Sequence, residues 1–293
     1  MVSLRTERVF SANDVKNLSL LYDYIQIPLV EDDTVLLQKE DFEAICNRLN
    51  LITGEKLLDI GGELVIYAAR KYGANILGIT LNKLLHMKLN HRIAASGLLG
   101  SAAKYMDYRN LVGVRFDKAV CLDPFAKMNR KATVTLLGTI YNVLQPGGVF
   151  LTQCIAYAPT SALGSVRRHP SLTHSIRSML YPSTQNGFLT VNQLELIAYQ
   201  IGFEIHLDEN LSETYGTQLQ AWLAFLGLNH DEIMNRFGEN IFQHWIANVS
   251  MLVDGIKRGD IQFHQYLFSK PGNSHNRVLL LDAQRCCVPH YSD

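Results

Sequence analysis

The chain has 293 residues, 47% hydrophobic and 18% charged, which is enough apolar material to bury a core and too apolar a mixture for a disordered polymer. Its 27 basic residues balance 27 acidic ones, and a pI near 7.1 argues against a general nucleic-acid binder. Of the five cysteines, Cys46, Cys121 and Cys154 lie in apolar segments while Cys286 and Cys287 are adjacent near the end, so no disulfide framework is legible. The opening MVSLRTERVF is polar, and no apolar run approaches the ~20 residues that a membrane span needs. These features predict a soluble cytoplasmic protein built as one domain with an appended lobe.

Residues 1–50 carry helical spacing without strand signals. Val15, Leu18, Leu21 and Tyr22 recur at three and four, an acidic loop follows at Glu31, Asp32 and Asp33, and a second helix is expected over 40–50. We read 1–50 as a helical lobe and 51–293 as an α/β domain. From residue 56 short apolar runs alternate with helical stretches. Strands are expected at 56–60 (KLLDI), 75–80 (NILGIT), 104–108 and 116–122 (FDKAVCL), with helices over 62–72, 82–96 and 131–144 between them. Gln145-Pro146-Gly147-Gly148 reads as a turn before a fifth strand at 149–155. A helix at 191–201, a strand at 203–207, long helices at 213–228 and 239–257, and an alternating strand at 261–269 complete the pattern, with one more apolar run at 278–281. Strands alternating with helices of this length predict βαβ units and a doubly wound, mostly parallel seven-stranded sheet, with a helical cover within 156–258.

In such sheets a ligand sits at the carboxyl ends of the strands, where a glycine turn lets backbone approach it. The turn after the first strand is Asp59-Ile60-Gly61-Gly62-Glu63. Two readings fit it: Asp59 attracting an amino-bearing ligand beside an open backbone, or a tight turn that needs glycine for its angles alone. Other candidates have plain alternatives. His86 and His91 are five apart, not the three or four that place two ligands on one helix face, so no metal site is expected. Cys154 has no local histidine-and-acid logic and reads as a small buried hydrophobe. Arg167, Arg168 and His169 read as a solvated loop.

The succession KLLDIGG, YGANILGIT, MDYRNL, FDKAVCLDPF and VLQPGGVFLTQCI resembles the class I S-adenosylmethionine-dependent methyltransferases, which carry a Rossmann-like fold. Within them it is similar to the cyclopropane fatty acid synthase and mycolic acid cyclopropane synthase family. The carboxyl half agrees through Glu209-Asn210-Leu211, Tyr215, Leu219-Gln220-Ala221-Trp222 and QFHQYLFSKP at 262–271. The resemblance implies S-adenosylmethionine as cofactor, with Asp59, Gly61 and Gly62 at its methionine moiety, Thr80 and Asn82 near the ribose, and Asp107 and Tyr108 near the adenine. It also implies a hydrophobic acyl substrate, an alkene over the sulfonium, and a bicarbonate that removes a proton after methylation.

Departures from the family pattern accompany this. The glycine loop normally reads D-I-G-x-G-x-G and runs longer before Ala68-Ala69, and here Glu63 places a carboxylate near the donor's own. The family's E-H pair falls at Ala126-Lys127 and its histidine at Gln153, and a cysteine of the N-terminal lobe has no counterpart around 29–37. Of the bicarbonate set only Tyr215 is retained, so bicarbonate itself is in question. Tyr215, Gln153 and Asp123, the acid ending the fourth strand, are the candidate catalytic residues, although Tyr215 also fits an amphipathic core position. Three readings stay open: a C-methyltransferase or cyclopropane synthase-like enzyme, a repurposed cyclase, isomerase or lyase, and a non-catalytic partner subunit. No nucleic acid is expected as a partner, membrane contact is at most peripheral, and a homodimer is left open.

Overall fold

The computed structural model describes residues 36–62, 64–122, 128–158 and 189–272, with the backbone alone for 36–41. Seven strands form one sheet: β1 (Lys56–Ile60), β2 (Asn75–Thr80), β3 (Ala102–Tyr105), β4 (Phe116–Leu122), β5 (Leu144–Tyr157), β6 (Glu204–Asn210) and β7 (Ile261–Ser269). Their order is β3-β2-β1-β4-β5-β7-β6, and β7 alone runs against its neighbours. The expected doubly wound, mostly parallel sheet is therefore what the chain builds.

Period-two alternation decides which side each strand residue serves. Leu58, Ala119, Cys121, Phe150, Cys154, Tyr266 and Phe268 enter one core with helices α4 (Arg130–Val143) and α5 (Val191–Ile201). Leu57, Val120, Val149, Leu151 and Leu267 enter the other, with α1 (Leu36–Arg48), α2 (Val65–Tyr72) and α3 (Lys83–Ala95). Covered on both faces, the central strands read as continuous apolar runs. A third cluster joins α6 (Ser212–Leu228), α7 (His230–Phe237) and α8 (Glu239–Lys257) to Ile155, Ile261 and Phe263, at the end of the sheet where the parallel strands finish.

The helix ends follow local chemistry. Asn82 and Asn129 cap α3 and α4 by accepting from Leu85 N (3.0 Å) and Ala132 N (2.9 Å). Thr190 and Gln193 form a reciprocal capping box on α5. Four readings change. The third strand lies at 102–105, because Asp107 caps a single 3-10 turn, Tyr108–Asn110. Gln145–Gly148 is a bulge inside β5, where Gly147 N donates to Lys270 O and Lys270 N donates to Gly148 O, each at 2.9 Å. The helix at 230–237 was not expected, and the strand at 203–207 extends to Asn210. The expected helix around Val15–Tyr22, the loop at 31–33, Arg167–His169, the run at 278–281 and the Cys286-Cys287 pair lie outside the described residues. Among the described residues no helix is long and apolar enough to cross a membrane.

Candidate active site

The parallel register brings four strand ends level: Ile60 pairs with Ile79 and Cys121, Thr80 with Tyr105, and Leu122 with Gln153. The segments leaving β1, β2 and β3 lie side by side at this edge. Gly61 N donates to Ile79 O at 2.9 Å and Met106 N to Thr80 O at 3.1 Å, so neighbouring loops remain laddered past the strands.

Asp59 is 1% exposed, and both its carboxylate oxygens face the turn. Oδ1 accepts from Gly62 N at 3.2 Å and Oδ2 from Leu64 N at 2.8 Å. Leu64 provides no side-chain cap to α2, so Asp59 serves the exposed amides at that helix start from a distance. Burial raises the Asp59 carboxyl to about 6, against the lowering effect of the Leu64, Gly62 and Val65 amides. Asp59 thus holds the glycine turn in place.

Gly61 (φ +125°) and Gly62 (φ +89°) adopt angles that favour glycine. A Cβ on Gly61 would meet nothing within 4 Å, so its backbone borders open space. A Cβ on Gly78 would come within 2.5 Å of Val65 Cγ2, so that glycine lets α2 settle against β2. Thr80 Oγ1 accepts from Asn82 N at 3.1 Å, and Asn82 caps α3, so these two shape the second loop. Leu81 between them is 61% exposed, an apolar side chain open at the edge that sequence reasoning passed over. Asp107 accepts from Arg109 N and Nε, both at 2.9 Å, and is forked by the guanidinium, whose hydrogen bonds hold its carboxyl below the usual range. Tyr108 is half-buried beside it, and burial pushes its phenol up. Glu63, Asp123, Ala126 and Lys127 lie outside the described residues.

Gln153 and Tyr215 share one face of the sheet. Gln153 pairs with Gln265 across β5 and β7, and Ile155 with Phe263 two positions on. The Tyr215 ring stacks on Phe263 at 4.0 Å and 6° between planes. Around Gln153 lies a polar chain absent from the sequence reading. Its amide is 2.9 Å from that of Gln265, Gln265 meets the Arg48 guanidinium, and Arg48 is ion-paired with Glu209. Arg48 ends the N-terminal helix α1 and Glu209 lies on β6, so this chain ties the first described helix to the edge of the sheet.

The opposite face holds Cys154 in register with His264, whose Nδ1 meets Asp208. This is no nucleophile triad: His264 Nε2 turns to Gln262 Oε1 at 3.1 Å, and Cys154 is fully buried. Among the described residues no cluster of His, Cys, Asp or Glu could hold a metal ion.

A family model described as mycolic acid cyclopropane synthetase matches residues 31–266. The chain is 27% identical over 267 residues to sphingolipid C9-methyltransferase of Komagataella phaffii, covering 85% of this chain and 52% of that protein. It is 24% identical over 250 residues to cyclopropane-fatty-acyl-phospholipid synthase of Escherichia coli K12, covering 84% and 62%. The chain therefore spans less than two thirds of these relatives. The solved structure of mycolic acid cyclopropane synthase CmaA1 complexed with SAH and CTAB superimposes with a TM-score of 0.72 at 19% identity, covering 82% of this chain and 87% of that one, a likeness of fold.

Proposed function

The chain belongs to the mycolic acid cyclopropane synthetase family, and from that membership we propose that it is an S-adenosylmethionine-dependent methyltransferase that methylates an unsaturated carbon of a hydrophobic, acyl-type substrate. The observation that carries this reading is the edge at Gly61: an open backbone cradle at the end of β1, held by a buried carboxylate and level with the loops of β2 and β3. The residues fit the cofactor. Gly61 and Gly62 approach its amino-acid part, Thr80 and Asn82 its ribose, and Asp107 and Tyr108 its adenine. The names of the relatives, and the SAH and CTAB bound by the matching structure, point the same way. Bound there, S-adenosylmethionine supplies an electrophilic sulfonium methyl.

The chain's residues then do the rest. The apolar helices α6 to α8 cover the substrate within 156–258 and exclude water, so that positioning and desolvation lower the barrier. Methylating an alkene leaves a carbocation that must lose a proton. Loss from the added methyl closes a ring, and loss from a neighbouring carbon restores a double bond. Gln153, an amide without a titratable proton at neutral pH, positions rather than deprotonates, and it stands where the resemblance assigns a histidine that holds the bicarbonate base. Tyr215 and Asp123 remain the candidate proton-handling groups. We expect a methyl-branched, still unsaturated acyl product.

The test is incubation with S-adenosylmethionine and lipids bearing a cis alkene, followed by mass spectrometry and proton NMR. A gain of one CH2 with vinylic protons kept supports the reading. Cyclopropyl protons would overturn the product, and turnover of lipid without the cofactor would overturn methyl transfer and favour a repurposed cyclase or isomerase.

A further inference from the structure

In β5, residues 148–156 are buried except Gln153, which is half-buried and so borders the space at the edge of the sheet. It lies two strands from Ile60, through Cys121 and Leu122, or roughly 10 Å from the glycine turn at the usual strand spacing. Which of its amide atoms meets that space is fixed by a chain of partners. Glu209 holds the Arg48 guanidinium in an ion pair. A guanidinium has donors only, and Gln265 is 1% exposed, so its buried amide must be satisfied. Gln265 therefore turns its Oε1 to Arg48, accepting from Nε at 3.2 Å and from Nη1. Its Nε2 then lies 2.9 Å from the Gln153 amide. Two facing NH2 groups would repel, so Gln153 presents its Oε1 to Gln265 and directs its own NH2 away from it.

We infer that Glu209, Arg48 and Gln265 form an orienting relay that fixes Gln153 as a hydrogen-bond donor to an oxygen atom held over the sheet edge. Arg48 and Gln265 are positioning residues, and Gln153 is the one that touches the ligand. This rests on the methyltransferase reading for the ligand's place but not for the relay itself. The oxygen comes either from a small carboxylate-like anion or from the acyl substrate's own carboxyl group.

Nitrogen-15 NMR of S-adenosylhomocysteine-loaded protein tests this, with bicarbonate and oleic acid as the two probes and with Gln153→Met and Gln265→Met assigning the amide resonances. In the wild type the Gln153 NH2 exchanges with solvent faster than that of Gln265, and one probe shifts it. A bicarbonate response identifies a free anion, and an oleic acid response identifies the acyl chain. Gln265→Glu leaves Arg48 its acceptor but removes the donor, so the Gln153 amide turns over. That probe then binds at least tenfold more weakly, while S-adenosylhomocysteine affinity stays within twofold. Slower exchange at Gln153 than at Gln265, no response to either probe, or unchanged probe binding in Gln265→Glu would overturn the relay. Should Gln265→Glu not fold, the exchange order in the wild type and probe binding by Gln153→Met decide. Failure of S-adenosylhomocysteine to bind at all would instead strike the methyltransferase reading.

Discussion

Replacing Asp59 by Asn separates two opposing effects at the glycine turn. The carboxylate accepts from Gly62 N and Leu64 N, and losing one charge-assisted bond costs about 1.5–3 kcal/mol. Burial opposes this. A carboxyl raised from 3.8 to about 6 carries a cost of roughly 3 kcal/mol when ionised, at 1.36 kcal/mol per unit. That cost is already net of the amide bonds, so Asp59→Asn, which loses one of them but no longer buries a charge, raises stability at neutral pH by at most about 3 kcal/mol. The pH dependence differs. Because the folded-state value is raised, the group's favourable contribution is complete below about 3.8 and is lost as pH rises through about 6. From pH 7.5 down to 5, Asp59 alone adds about 1.4 kcal/mol to wild-type stability. Urea denaturation of both proteins at the two pH values measures this as the wild-type change minus the Asp59→Asn change. Equal changes in the two proteins would refute a buried carboxylate held against its own desolvation.

Gly78→Ala places a methyl 2.5 Å from Val65 Cγ2, forcing the first turn of α2 off β2; we expect a loss of about 1–3 kcal/mol and weaker S-adenosylhomocysteine binding by calorimetry. Adding Val65→Ala makes room, so the double variant is more stable than the sum of the single losses allows. Tyr215→Phe keeps the ring stacked on Phe263 and costs less stability than Tyr215→Ala, yet lowers kcat at least tenfold in the lipid assay. Tyr215→Ala removes the stack and costs about 2 kcal/mol in denaturant titration.

The sheet was legible because its strands are short apolar runs whose alternation sorts side chains between two cores, as at Leu57 and Leu58 or Val149 and Phe150. The Gln145–Gly148 turn was misread because its glycines serve a bulge, whose ladder partner, Lys270, lies far along the chain. The helix at 230–237 escaped notice because only Asn229 and Gly238 separate it from its neighbours. Asp59 could be found because an acid before a glycine turn stands out at the end of an apolar strand, whereas Thr80, Asn82, Asp107 and Tyr108 are singled out by the family resemblance alone. The relay through Arg48, Gln265 and Glu209 could not. Gln153 and Gln265 are 112 residues apart, and only the antiparallel register of β7 brings them together. At Asp59 the structure adds a role: both its oxygens accept from the turn's own backbone, so a strand-end acid that reads as a ligand contact also holds the cradle.

The most direct measurement is calorimetric titration of cofactor-stripped protein with S-adenosylmethionine and S-adenosylhomocysteine. The account predicts binding with Kd on the order of micromolar, about −8 kcal/mol, for both. It also predicts that Glu63→Gly, which removes the added carboxylate from the loop, leaves that affinity intact or tightens it. No heat of binding at millimolar ligand would contradict it and leave the edge at Gly61 as a pocket for something else.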